Sequence, residues 1–198
     1  MKRIFVGIKT PELLQQKILA WKTDFLDGRP SFAKATDGKV RWLKGKNLHI
    51  TLVPPWYEEA EKIASRELQI EKAVADFKPF ELNFKKLMFG PDPKNPRLIL
   101  AEGPDGDSPR SSEGGAGTLK ATRDKILNEI GKEPEKRPLK LHLTVARFRP
   151  EEFSGFPIKK LEEEIDWKLA VNSVILYESQ LAHGGAEYEI LKEFKLLL

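Results

Sequence analysis

A chain of 198 residues, 40% of them apolar, is long enough to bury one substantial core and short for two independent ones. Its 34 basic and 30 acidic residues leave a formal charge of +4, which leans toward anionic partners without amounting to a nucleic-acid footprint. The absence of cysteine removes disulfides, thiolate metal sites and a cysteine nucleophile; with no secretory h-region and no apolar run near ~18 residues, a cytoplasmic protein without membrane contact is expected.

In chain order, Lys2 to Ile8 reads as a short apolar strand. Thr10 then offers a helix N-cap, with Pro11 in the first helical position and Leu13, Leu14, Ile18 and Trp21 on one face, so a helix to about Phe25 is expected. Residues 27–39 hold two glycines and one proline with little periodicity and read as a flexible loop. Val40 to Leu43 and Leu48 to Val53 read as two strands joined by the turn Lys44-Gly45-Lys46-Asn47, the second stopped by Pro54-Pro55. Glu58 to Phe77 is charged and periodic, with Ile63, Leu68, Ile70 and Val74 marking a helix. Phe80 to Phe89 alternates as a strand should, and Gly90-Pro91-Asp92-Pro93 turns the chain into another strand from Arg97 to Ala101.

Residues 104–117, rich in Gly, Ser, Pro and Asp, read as a second flexible loop. Thr118 to Ile130 is a helix ended by Gly131, and Leu139 to Phe148 is a strand. A short helix is expected near Ile158 to Glu164 and at least one long strand within Asp166 to Leu181. Tyr188 to Leu197 then returns as a hairpin partner across Ala182 to Glu187.

Two of these strands repeat a frame. Leu48-His49-Ile50-Thr51-Leu52 and Leu141-His142-Leu143-Thr144-Val145 each place an apolar residue either side of His and a Thr two places on, using two of the three histidines in the chain. Successive strand side chains alternate faces, so each frame presents an apolar core face and an imidazole with a hydroxyl opposite. One neutral and one protonated imidazole can take and give a proton near neutral pH, each transfer being typically worth about 10²–10⁴ in rate. Hydroxyls beside them can donate to the oxygens of a phosphorus centre, and such chemistry calls for no metal or other cofactor.

The paired frames resemble the signature of the 2H phosphoesterase superfamily, and the whole chain is similar to its RNA 2',3'-cyclic phosphodiesterase, or 2'-5' RNA ligase, branch. The similarity runs through Arg3 to Ile8, Trp42-Leu43, His142-Leu143-Thr144-Val145-Ala146-Arg147, Tyr177 to Leu181, Gly185 and Tyr188. After the first frame the chain departs from the family, with Val53-Pro54-Pro55-Trp56 where an apolar pair and a glycine are usual.

The resemblance implies one α+β domain over residues 1–198, made of two pseudo-symmetric lobes, each an antiparallel sheet with helices on its outer face, with the active-site cleft between them. It implies hydrolysis of RNA 2',3'-cyclic phosphate ends to 2'-phosphomonoesters, and 2'-5' ligation in reverse. His49 and His142 would be catalytic, and Thr51, Thr144 and Arg147 would hold the phosphate. Strict alternation from His142 puts Arg147 on the core face, so a phosphate contact requires the strand to end or bulge near Ala146.

Phe5, Trp42 and Trp56 are candidate stacking surfaces for a base. The expected partner is an RNA end or oligonucleotide with a 2',3'-cyclic phosphate, and the chain is expected to act as a monomer without an obligate protein partner. Two other readings stay open: a phosphodiesterase for 2'-5' oligonucleotides or small cyclic nucleotides, and a non-catalytic RNA-end binder. Gly114-Gly115-Ala116-Gly117-Thr118 lacks the ending of a phosphate-cradling loop, and His183 reads as a turn residue.

Overall fold

The computed structural model describes residues 1–105, 115–134, 138–182 and 185–197. Its order is β1 (Lys2–Lys9), α1 (Glu12–Asp27), α2 (Pro30–Thr36), β2 (Arg41–Trp42), β3 (His49–Glu58), α3 (Ile63–Val74), β4 (Phe80–Gly90), β5 (Leu98–Asp105), α4 (Ala116–Glu129), β6 (Lys140–Arg147), β7 (Glu162–Val171), β8 (Ser173–Ala182) and β9 (Gly185–Lys195). Two antiparallel sheets result, ordered β3-β1-β8-β9 and β2-β6-β5-β4-β7, which gives the expected α+β class. α1 packs on α2 and β7, while α3 and α4 pack on each other and reach β9, β3 and β5. Among the described residues no helix is long and apolar enough to cross a membrane.

The first sheet is built outward from β1. Ile4, Val6 and Ile8 enter the main core, whereas Phe5, on the other face, joins a separate apolar cluster with Ile175, Tyr177 and Tyr188. A strand buried on both faces needs apolar residues at nearly every position, as Ile4, Phe5, Val6 and Ile8 supply.

Several local expectations are corrected. Thr10 makes no cap: it is buried, its N–H goes to the Leu48 carbonyl at 3.3 Å, and Pro11 takes the N-cap position. Leu13 and Leu68 are exposed, whereas Leu14, Ile18 and Phe25 of α1 and Ile70, Ala73 and Val74 of α3 are buried in the core, with Trp21, Leu26 and Ile63 packed partly buried against it. Within 27–39, α2 replaces the expected flexible loop. It is too short to show a period, and Phe32 holds it in place, wedged edge-on between Phe25 at 5.1 Å and Phe156 at 5.4 Å.

The segment 104–117 is also shorter as a loop than its composition implies: β5 runs to Asp105 and α4 begins at Ala116, while 106–114 lies outside the described residues. No helix forms at Ile158 to Glu164; a 3-10 turn at Pro150–Gly155 precedes it and β7 starts at Glu162.

The largest departures surround the first His frame. β2 does not form a hairpin with β3; Arg41 and Trp42 pair with Arg147 and Ala146 of β6, in the other sheet. The expected turn is a 3-10 turn, Gly45–Asn47, that carries the chain from one sheet to the other. Pro54-Pro55 does not end β3, which continues to Glu58. β3 is an edge strand, where a missing N–H costs no ladder bond, and a register shift opposite Phe5 absorbs the prolines.

Candidate active site

Both His frames have the predicted faces. Leu48, Ile50 and Leu52 are buried in the core, as are Leu141, Leu143 and Val145. His49 Nδ1–H donates to the carbonyl of Asn47 at 2.8 Å, and His142 Nδ1–H donates to the carbonyl of Lys140 at 2.8 Å. A carbonyl only accepts, so Nδ1 carries the hydrogen in each ring, and Nε2 of the neutral ring keeps the lone pair that moves protons.

A second repeat lies in the backbone. On β3, Gly7 pairs with Thr51 and Val6 with Val53, leaving Leu52 as an extra residue; on β6, Leu100 pairs with Thr144 and Ile99 with Ala146, leaving Val145 extra. Each frame therefore bulges one residue past its Thr. A bulge shifts the alternation by one, so the residue three past Thr rejoins the face of His and Thr. In β6 that residue is Arg147, which lines the cleft as the resemblance required; in β3 a second register shift follows at the prolines and Pro55 lines the cleft, so the pair of frames carries one guanidinium. Gly7 makes the first bulge possible, because a Cβ there would stand 2.8 Å from the Ile50 carbonyl oxygen.

The cleft is about 530 Å³ and brings together His49, Thr51, Arg147 and Trp42, with Phe5 at its base. His142 and Thr144 are not among its lining residues. Thr144 is buried, and His142 stands on β6 opposite Glu102 of β5. Phe5 is 1% exposed, its ring stacked on Tyr177 at 4.8 Å and packed on His49 at 4.9 Å, so it supports the imidazole and offers no free face to a base. Trp42 stays partly exposed beside Lys22, whose ammonium lies 5.4 Å from its ring. Trp56 is not part of the lining; its indole N–H turns to Glu58 at 3.3 Å.

Electrostatics favour a neutral His49. Burial pushes its pKa down to about 4, opposed by the hydrogen bond to Asn47 and reinforced by electrostatic repulsion, chiefly from Arg147. Burial also lowers Arg147, with Tyr188 opposing and Arg41 and Arg97 adding repulsion. The cleft is thus a cationic pocket in which one imidazole waits uncharged. Among the described residues no group of three or more His, Asp or Glu gathers to hold a metal ion.

Some members of the cleft were not among the site residues expected from the sequence, although Arg3 and Tyr188 lie in stretches that carry the family resemblance. Tyr188 of β9 meets the His49 ring edge-on at 4.8 Å, and Arg3 donates to Ser179 Oγ at 2.8 Å on the cleft wall. Strand alternation through Arg3, Phe5 and Gly7 was the available signal for Arg3. Asn47 carried none, because its part is played by a backbone carbonyl and an amide pointing at β9. His183 and Gly114 lie outside the described residues.

A family model of the 2'-5' RNA ligase superfamily matches residues 30–182, a span that includes both frames and Arg147. The chain belongs to the 2'-5' RNA ligase superfamily. Within that superfamily, the RNA 2',3'-cyclic phosphodiesterase of Aeropyrum pernix is 28% identical over 162 residues, covering 79% of this chain and 86% of its own. The RNA 2',3'-cyclic phosphodiesterase of Bacillus subtilis is 24% identical over 156 residues, covering 79% and 80%. The crystal structure of E. coli LigT complexed with 3'-AMP shares the fold at a TM-score of 0.67 and 23% identity, over 100% of this chain and 99% of that one.

Proposed function

We propose that this superfamily member hydrolyses 2',3'-cyclic phosphates at RNA ends to 2'-phosphomonoesters by acid/base catalysis with His49 and His142. The observation that carries the reading is the matched pair of Nδ1–carbonyl bonds, which leaves each Nε2 able to move a proton, beside a single guanidinium brought in by a bulge. The A. pernix and B. subtilis relatives bear the name of this activity.

Water attacks phosphorus in line with O3'. One imidazole takes the water's proton as the P–O bond forms, and the other protonates O3' as the P–O3' bond breaks, leaving the phosphate on O2'. Thr51, Thr144 and Arg147 stabilise the pentavalent oxygens, and Trp42 stacks on the terminal base. With a 5'-hydroxyl attacking phosphorus in place of water, the same groups take its proton and protonate the departing O3', which forms a 2'-5' bond. The reading has the chain act as a cytoplasmic monomer.

The test uses an oligoribonucleotide ending in a 2',3'-cyclic phosphate. His49→Ala and His142→Ala are each expected to lower kcat by about 10²–10⁴. Wild-type turnover is expected to persist in EDTA, with a 2'-phosphate as the product. Full turnover by either variant, or loss of turnover in EDTA restored by added metal, overturns the mechanism.

A further inference from the structure

We infer that Asn47 is a positioning residue, whose side chain anchors the Asn47–Leu48 peptide to β9 and thereby holds His49 in the tautomer that proton transfer requires. The inference rests on the reading of His49 as a group that moves a proton.

The two imidazoles have the same hydrogen bond but different supports. The acceptor for His142 is the carbonyl of Lys140, a residue within β6, so a sheet ladder sets its direction. The acceptor for His49 is the carbonyl of Asn47, the last residue of a three-residue 3-10 turn crossing between sheets. Such turns have poor hydrogen-bond geometry, and nothing in a ladder orients this carbonyl. The side chain of Asn47 supplies the missing support. Its Nδ2 donates to the carbonyl of Ala186 in β9 at 3.1 Å, while its own N–H closes the turn on the Lys44 carbonyl at 2.8 Å. The residue is only 8% exposed, and its Oδ1 finds no partner among the described residues. An amide kept half-satisfied in a buried position is costly, so its donor end has to matter to the fold around it.

β9 then acts on His49 twice. Ala186 holds the turn that holds Nδ1, and Tyr188, two residues on, meets the ring edge-on at 4.8 Å. A neutral imidazole freed from its Nδ1 acceptor can move the hydrogen to Nε2, which removes the lone pair facing the cleft.

The experiment records the ring nitrogen spectra of both histidines near pH 7 and the turnover of the cyclic-phosphate oligonucleotide, for wild type, Asn47→Ala and Asn47→Asp. In both variants His49 is expected to populate the Nε2–H tautomer while His142 in the same spectrum does not change. Turnover is expected to fall about 10- to 10²-fold in kcat with KM nearly constant, as for a misplaced catalytic group. The Asp variant keeps the volume and removes the donor, so it carries the test should the Ala variant fail to fold. Retention of the Nδ1–H tautomer in these variants overturns the inference. The spectra decide it even if the wild type turns over no cyclic phosphate, so its failure is distinguishable from failure of the proposed function.

Discussion

A neutral imidazole buried near the Arg147 guanidinium makes His49 sensitive to acid in a way that can be measured. Its folded pKa is about 4, against an ordinary value of 6.5. Between those values the unfolded chain binds a proton that the folded chain refuses, so stability rises with pH across this window and is lost as pH falls through it. The expected loss between pH 6.5 and 4 is about 1–3 kcal/mol, read from denaturant unfolding. His49→Asn should flatten that part of the profile. Arg147→Met removes a guanidinium charge that helps depress the ring, so the His49 titration followed by NMR should move up in that variant. A downward movement would mean that the guanidinium does not repel the protonated ring.

Among the elements, the paired bulges decide what the His frames can do. Val145 is the residue that re-phases β6: without it Arg147 would stand two places past Thr144 and keep the cleft face by strict alternation, whereas one Ala inserted between Ala146 and Arg147 should turn the guanidinium to the face of Leu143 and the core. A guanidinium forced there without a partner costs several kcal/mol, so the insertion is expected to lower Tm and to lose at least the roughly 10²-fold in turnover of one oxyanion donor. Arg147→Ala should lose the same turnover while keeping more of the stability; equal Tm values for the two variants would sink the argument. The need for a bulge near Ala146 was legible in the sequence, because an Arg on a core face is a contradiction that some irregularity must resolve. α2 was not legible: one aromatic, Phe32, secures it through partners as distant as Phe156. Pro54 and Pro55 misled because their meaning depends on β3 being an edge strand, which no local pattern records.

Across the whole molecule, the two sheets do not correspond to the two halves of the chain. β1 and β3 share a sheet with β8 and β9, while β2, β4 and β5 share the other with β6 and β7. The repeated frames were readable, and so was the α+β class, but strand partnership was not. Arg41-Trp42 looks like the first arm of a hairpin, and only its pairing to Arg147 and Ala146 reveals a crossing between sheets. That crossing brings Trp42, Asn47 and His49 to one cleft with Arg147.

We propose that the chain is a single cooperative unit, and fragments 1–105 and 115–198 test it. The first lacks the β8 partner of β1, the β6 partner of β5 and the β7 partner of β4, and the second lacks their counterparts, so each exposes at least three unpaired sheet edges. Neither fragment alone should show a cooperative unfolding transition by circular dichroism, and mixing them should restore both the transition and turnover. Two fragments that each melt cooperatively would instead show that every half carries a complete core, which the interleaved strand order forbids.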